Sequence, residues 1–276
     1  MKEERHRAEC LIHRGLGRVE FFDLTGEQMA DLGPLIEQFR AEGRDRFSFH
    51  APIIRPEDFP HSGVTCFFLS EEKDKREKSF SLLWRTLNEA RRWGADYVVS
   101  HLTFGPTDSK DPALALKLAR EACARMAGMS AASAIPLDLE FAAYSDGFHE
   151  AGAFAAVVSE HEELGVCIDI GHAYLGAQGR NRNYLDDIAA LAPRARSMHL
   201  WNTTGPEHTK EHHHSPLHPN QRPEDGWLDV EAILGIVIVQ NPHINIVFEY
   251  PVEAVTREIR QGYDWIAEMI DRFRQG

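Results

Sequence analysis

Acidic and histidine residues follow successive hydrophobic runs in the second half of this chain, and this pattern constrains the fold most strongly. The runs PLDLEF, VCIDIGH, SMHLW and INIVFEY end with or near Glu140, Asp169, His172, His199 and Glu249. Burying an unpaired charge costs on the order of several kcal/mol, a large part of a domain's stability. In a parallel barrel all carboxyl ends of the strands open onto one face. The pattern therefore predicts that these side chains meet there around a divalent cation.

Short β-rich runs alternate with longer amphipathic runs, which is typical of βα units around a parallel sheet. The chain has 276 residues, 43% of them hydrophobic, and α/β barrels of this length commonly form one domain. We therefore expect a single domain over residues 1–276 with the fold of a TIM-type (β/α) barrel. The predicted strands are 18–24, 46–50, 97–102, 135–141, 165–171, 195–201 and 244–250.

Helices are expected between these strands. Thr25 is a suitable N-cap for a helix over 26–39, and Gly94 is a suitable stop for a helix over 76–93. The other predicted helices are 111–130, 148–164, 184–192, 229–239 and 253–273. An eighth strand is difficult to accommodate, because only 17 residues precede Arg18 and a strand with a crossover helix needs more. The barrel either lacks its first strand or keeps a vestige of it at 9–13 (ECLIH).

Two earlier strands end in histidine, at His50 and His101. A single histidine of this kind is more often a hydrogen-bonded core residue than a ligand. Six or seven polar residues at equivalent places in consecutive βα units are harder to explain as separate packing accidents. A mixture of carboxylates and imidazoles suits manganese, magnesium, cobalt or zinc and indicates no preference for thiolate ligands. We expect one to three ions.

Short motifs in a fixed order carry a resemblance to a known family. They are HAP (50–52), EKxxREKS (72–79), GADYVVSH (94–101), LEF (139–141), DxGH (169–172), MHLW (198–201), DGWLD (225–229) and FEY (248–250). Together they resemble the xylose isomerase-like superfamily of barrels, which contains sugar isomerases and epimerases and also endonuclease IV (AP endonuclease family 2). The resemblance covers most of the chain, from about Arg18 to Ile270, and each motif is specific only in combination with the others.

The resemblance implies a metal quartet shared by both branches, made of Glu140, Asp169, His199 and Glu249. It also implies that His50 and His101 add an ion of the endonuclease-like multinuclear site. The endonuclease branch has an Asp-x-His pair for a third ion. When His218 is aligned to that histidine, Pro216 occupies the acid's position, so a third ion would depend on His172, His218 and perhaps His214. The alternative is a solvated loop whose histidines bind only adventitious metal.

Three functions fit these residues. The first is a metal-dependent isomerase or epimerase of a small polyhydroxylated carbonyl compound, with Glu140 and Glu249 moving the proton and His172 polarising the carbonyl. The second is a phosphodiesterase or abasic-site endonuclease. The net charge of −13 and the lack of a basic stripe disfavour a nucleic-acid partner. The third is a non-catalytic barrel that binds metal or a small ligand.

Other features exclude several classes of protein. The chain has no Walker A loop and no GxGxxG between a strand and a helix, so we expect no nucleotide cofactor. No segment approaches the roughly 20 apolar residues of a membrane span. The four cysteines are Cys10, Cys66, Cys123 and Cys167; they form no CxxC pair, and the N-terminus is charged. These features predict a cytoplasmic protein.

Overall fold

A computed structural model describes residues 17–54, 66–103, 105–252 and 254–275. The proposed vestigial strand at 9–13 lies outside the described residues. The chain divides into two compact units, one made of Leu16–Cys167 and one that contains Ile168–Gly276. Each unit repeats the order strand, then helix, that the sequence predicts.

The described part of the first unit contains five parallel strands, each hydrogen-bonded to the next along the chain. Four of its helices connect or follow these strands. In chain order the elements are β1 (Arg18–Phe21), α1 (Gly26–Ala41), β2 (Arg46–His50), α2 (Lys73–Trp93), β3 (Val98–His101), α3 (Pro112–Ser133), β4 (Leu137–Phe141), α4 (Ala151–Ser159) and β5 (Leu164–Asp169), whose last two residues belong to the second unit.

Local sequence signals explain where these helices begin and end. Thr25 and Gln28 form a capping box at the start of α1, because each side chain bonds the other's backbone N–H. The side chain of Asp111 accepts hydrogen bonds from two backbone N–H groups at the start of α3. Pro112 occupies the first helical position, where no N–H is needed. Gly94 ends α2 in the left-handed conformation, with φ 73°. The predicted roles of Thr25 and Gly94 are therefore confirmed.

The register of the first unit brings polar side chains onto one face of its sheet. His50 pairs with Val99 between β2 and β3, and His101 pairs with Glu140 between β3 and β4. Partners in register point to the same face, because side chains alternate between faces along each strand. On the alternate positions, Phe47 and Phe49 pack against each other with ring centroids 5.7 Å apart. His50, His101 and Glu140 therefore share one face of the sheet, and Phe47 and Phe49 lie on the other face.

The second unit contains two parallel strands and five helices in its described part. They are α5 (Ile170–Gln178), α6 (Tyr184–Leu191), β6 (Ala195–Leu200), α7 (Pro206–His212), α8 (Val230–Gln240), β7 (Asn245–Phe248) and α9 (Arg257–Gln275), with short 3₁₀ turns at Ala192–Arg194 and Pro223–Asp225. His199 of β6 pairs with Val247 of β7. The N–H of Glu249 donates to the carbonyl of Leu200 at 3.0 Å, which continues the ladder one step beyond β7.

Two helices of the second unit differ from the sequence-based prediction. A strand is expected over 165–171, but β5 ends at Asp169, whose side chain accepts the N–H of His172 and caps α5. Gly171 and Gly176 lower the helix propensity of this run, so its pattern does not indicate a helix. Helix α7 is only seven residues long and buries no side chain, so it shows no apolar periodicity. Within the described residues, no helix is long and apolar enough to cross a membrane.

Candidate metal centre

Three buried side chains of the first unit converge at the carboxyl ends of β2, β3 and β4. His50, His101 and Glu140 are 1%, 9% and 1% exposed, and each offers one ligand atom within 4.8 Å of the others. The Nε2 atom of His50 lies 2.8 Å from Oε2 of Glu140, and Nε2 of His101 lies 3.5 Å from the same oxygen. The strand-end positions predicted from sequence therefore do bring these three residues together.

The hydrogen bonds of His50 indicate that a proton or a cation lies between its ring and Glu140. Its Nδ1 lies 3.1 Å from the carbonyl oxygen of Ala51, which can only accept, so Nδ1 carries a proton. A neutral ring of this tautomer has a lone pair on Nε2, and this lone pair would face a carboxylate oxygen at 2.8 Å. Either a proton on Nε2 or a cation near both atoms removes this repulsion. The donor set therefore fits a divalent ion.

A second cluster lies at the strand ends of the second unit. Asp169 and His199 are fully buried, and the side chain of Glu249 is 20% exposed. Nδ1 of His199 lies 3.2 Å from Oε2 of Glu249. Two carboxylates and one imidazole form a mixed oxygen and nitrogen donor set, which suits zinc, manganese or cobalt.

Glu249 is held in its ionised form by its neighbours. Burial by itself raises the pKa of a carboxyl group, but the charge and hydrogen bond of His199 and the charge of His214 favour the ionised form more strongly. The pKa of Glu249 therefore lies well below its ordinary value. At neutral pH the cluster presents a carboxylate rather than a carboxylic acid.

Trp201 fixes the second carboxylate of this cluster. Its indole N–H lies 2.9 and 2.8 Å from the two oxygens of Asp169, and the backbone N–H of His172 donates to the same side chain. Gly171 makes room for the indole, because a Cβ atom on this residue would lie 2.1 Å from the Trp201 ring. Trp201 is not among the site residues predicted from the sequence. A signal was present, because a tryptophan directly after a buried strand needs an acceptor for its N–H.

His214 also contacts this cluster, in a way that the sequence does not predict. Its ring stacks on Trp201 with a centroid distance of 3.8 Å and an interplanar angle of 9°. Its Nδ1–H donates to the carbonyl of Glu249 at 2.9 Å, and the ring of His172 lies 5.8 Å away. His172 and His214 are thus brought together with the second cluster.

His218 has different surroundings. It lies in the loop after α7, where its Nδ1 accepts the N–H of Asn220 at 3.2 Å. Within the part of the chain that the structure describes, neither His172 nor His218 joins a group of three side chains that could share an ion. Their assignment to a third ion stays a prediction.

Solved structures share the fold of this chain at low sequence identity. A D-tagatose 3-epimerase-like protein has a TM-score of 0.70 at 14% identity, with 95% of this chain and 91% of that chain covered. The IolI protein with a bound zinc atom has a TM-score of 0.68 at 12% identity, covering 98% and 93%. D-psicose 3-epimerase from Clostridium cellulolyticum H10, in complex with D-tagatose, has a TM-score of 0.62 at 13% identity, covering 99% and 90%. No curated protein matches the sequence.

The strand–helix repeats and these likenesses define a TIM-type α/β barrel, so the predicted fold class is confirmed. The strand-end clusters of carboxylates and imidazoles are typical of the active-site face of such barrels. The model of the xylose isomerase-like TIM barrel family matches residues 15–269, and the chain belongs to this family. The resemblance inferred from the sequence motifs is thereby confirmed.

Proposed function

We propose that this protein is a divalent-metal-dependent isomerase or epimerase of a sugar or sugar phosphate. The observation that carries the proposal is the pair of buried carboxylate and imidazole clusters at strand ends of a barrel of this family. The names of several similar solved structures support it, since they include a D-tagatose 3-epimerase-like protein, a D-psicose 3-epimerase and an L-ribulose 3-epimerase. A small polyhydroxylated molecule is therefore the proposed substrate.

The proposed ligands follow the two clusters and the family resemblance. Glu140, Asp169, His199 and Glu249 would hold the one ion of the isomerase or epimerase, whereas a second ion on His50 and His101 with Glu140 would belong to the phosphodiesterase alternative. The donor types fit a divalent ion, because both clusters combine carboxylate oxygens with imidazole nitrogens. Such an ion would supply Lewis-acid stabilisation of the negative charge that develops on a hydroxy-carbonyl substrate when it loses a carbon-bound proton.

The side chains of the chain would carry out the proton transfer. Glu249 is ionised at neutral pH, as a group that accepts a proton must be. Glu140 lies 2.8 Å from Nε2 of His50, so it has a neighbour that can share a proton with it. In the proposed reaction one carboxylate takes the proton and the other returns it. His172 would bind the carbonyl oxygen of the substrate.

A phosphodiesterase of the endonuclease IV type is the second candidate. The cluster of His50, His101 and Glu140 favours it, because the sequence resemblance links these histidines to the multinuclear site of that branch. The net charge of −13 disfavours it, because a phosphate backbone is repelled by an acidic surface. We therefore rank it after the isomerase or epimerase.

Metal stoichiometry tests the choice between the two enzymes. Elemental analysis of untagged protein, purified without added metal, should find one ion per chain that exchanges readily for manganese or cobalt. The protein should then epimerise or isomerise a ketose or ketose phosphate. Chromatography of the sugars measures this conversion. Two or three tightly held zinc ions, with cleavage of an abasic-site duplex and no activity on sugars, would instead support the phosphodiesterase.

Replacing Glu249 tests the proposed centre. Glu249→Ala should lose most of its metal and its turnover, whereas Glu249→Gln, which keeps the shape of the side chain but not its charge, should lose turnover. Glu258→Gln is the matched control, because this exposed glutamate of α9 lies in neither cluster. Full metal occupancy and full turnover in Glu249→Ala would show that the centre is assigned wrongly.

A further inference from the structure

Helix α7 carries two histidines and a glutamate on one face, apart from both clusters described above. His208, Glu211 and His212 have the spacing i, i+3 and i+4, so their side chains share one face of the helix. The ring centroids of His208 and His212 lie 4.8 Å apart, and Nε2 of His212 lies 3.8 Å from Oε1 of Glu211. The two imidazoles therefore border the same small volume, and the carboxylate of Glu211 lies beside His212.

A hydrogen bond orients His208 towards that volume. Its Nδ1 lies 3.2 Å from the hydroxyl of Thr203, which itself is fully buried. The ring also packs edge-on against Trp227, with a centroid distance of 4.9 Å and an interplanar angle of 78°. A metal-binding histidine usually has its second ring nitrogen fixed in this way by a neighbouring polar group. The ring of His208 is thus held at two sides, and Nε2 is left as its ligand atom.

We propose that His208, Glu211 and His212 form a separate surface site for a divalent transition ion such as Zn²⁺, Ni²⁺ or Cu²⁺. Two histidines four residues apart on one helix face are a recurrent way to bind zinc, and the spacing H-x-x-E-H also occurs in zinc proteins. Imidazole nitrogen is a preferred ligand of these three metals. The two ring centroids, 4.8 Å apart, are close enough for one nitrogen of each ring to bind the same ion at the usual zinc–nitrogen distance of about 2.0–2.1 Å.

The site goes beyond the proposed function, because its ligands are not among the residues assigned to catalysis. Its existence means that the number of ions per chain exceeds the number in the catalytic centre by one at saturating metal. The exposed position of His212, whose side chain is 53% exposed, lets an ion enter from solvent without any rearrangement of the fold.

Equilibrium dialysis of chelator-stripped, untagged protein against Zn²⁺ tests the site. The wild-type chain should bind one more ion than the double variant His208→Ala/His212→Ala. His212→Ala alone, which keeps the bond between His208 and Thr203, should lower the affinity of this ion by at least about tenfold, because losing even a group that only supports a ligand costs about 10–100-fold. Glu211→Gln should also weaken it. The control His243→Ala removes an exposed histidine outside the site and should bind like wild type.

Two further measurements separate this site from the catalytic centre. Glu249→Ala should keep the ion on α7 even when it loses the ion of the centre. Cu²⁺ should quench the fluorescence of Trp227, which is measured as the difference in emission between wild type and Trp227→Phe. This quenching should be lost when His212 is replaced by alanine. Equal stoichiometry and affinity in wild type and the double variant would overturn the proposal. Saturation only at millimolar Zn²⁺, unchanged by the substitutions, would mean an adventitious ion only and would also overturn it.

Discussion

Trp201 shows how much a single side chain contributes to the organisation of the second cluster. Its N–H bonds both oxygens of Asp169, and its ring is the surface on which His214 stacks. Hydrogen bonds to charged groups contribute about 1.5–3 kcal/mol each, roughly twice the value for neutral pairs. Groups of this kind orient a metal ligand without touching the metal.

Trp201→Phe keeps an aromatic ring and removes the donor. We expect it to lower the affinity of the catalytic ion by about 10–100-fold and the free energy of unfolding by about 1.5–3 kcal/mol. Isothermal titration calorimetry and urea unfolding measure the two effects. Trp265→Phe, a partly exposed tryptophan of α9, is the matched control. If Trp201→Phe bound metal like the control, the orienting role would be refuted.

Helix α5 depends on a residue that is also a proposed metal ligand. Asp169 ends β5, caps α5 by accepting the N–H of His172, and accepts the N–H of Trp201. The negative charge is needed for the ion, but the cap needs only an oxygen acceptor, and asparagine caps helices about as well as aspartate. The two roles of Asp169 can therefore be separated by substitution.

Asp169→Asn should lose the ion with little loss of stability. Asp169→Ala should lose the ion and also about 2–4 kcal/mol of unfolding free energy, because both the cap and the acceptor for Trp201 disappear. Asn183→Ala, which removes the cap of α6, is the control and should cost about 0.5–2 kcal/mol while metal binding is kept. Chemical unfolding and elemental analysis of the same preparations test this. A large loss of stability in Asp169→Asn would contradict it.

At the scale of the whole molecule, the strand pattern is the part that the sequence predicts best. All seven predicted strands overlap observed ones, and β2 coincides with 46–50, because short apolar runs between turn residues indicate strands buried on both faces. The order of polar strand ends also predicts that His50, His101 and Glu140 converge, because neighbouring parallel strands have their carboxyl ends on the same side of the sheet.

The remaining features depend on contacts that no local pattern contains. The bond between Trp201 and Asp169 joins residues 32 positions apart, and the stack of His214 on Trp201 depends on the path of an irregular loop. Helix α5 begins inside a run that resembles a strand, because the cap at Asp169 becomes visible only when the side chain is seen. That residues 1–276 form a single domain stays a prediction.

Two buried thiols supply a test of the packing in the first unit. Cys66 and Cys123 are fully buried, and burial raises the pKa of each thiol to about 12. Only about one part in 10,000 of each is thiolate, the reactive form, at pH 8. Because the raised pKa keeps both thiols neutral, iodoacetamide should leave them unmodified in the native protein between pH 7 and 9 and should modify both in urea. Peptide mass spectrometry measures this, and rapid native modification of Cys66 would contradict the burial.

The stack of His214 on Trp201 gives the protein a built-in optical reporter. An excited indole in face-to-face contact with an imidazole at 3.8 Å can transfer charge to it, and the emission of this tryptophan therefore depends on the state of the ring above it. The same indole bonds Asp169, so its spectrum also responds to whatever occupies that carboxylate. The emission that separates wild type from Trp201→Phe is thus a signal by which ligands can be followed as they arrive, without any label attached to the chain.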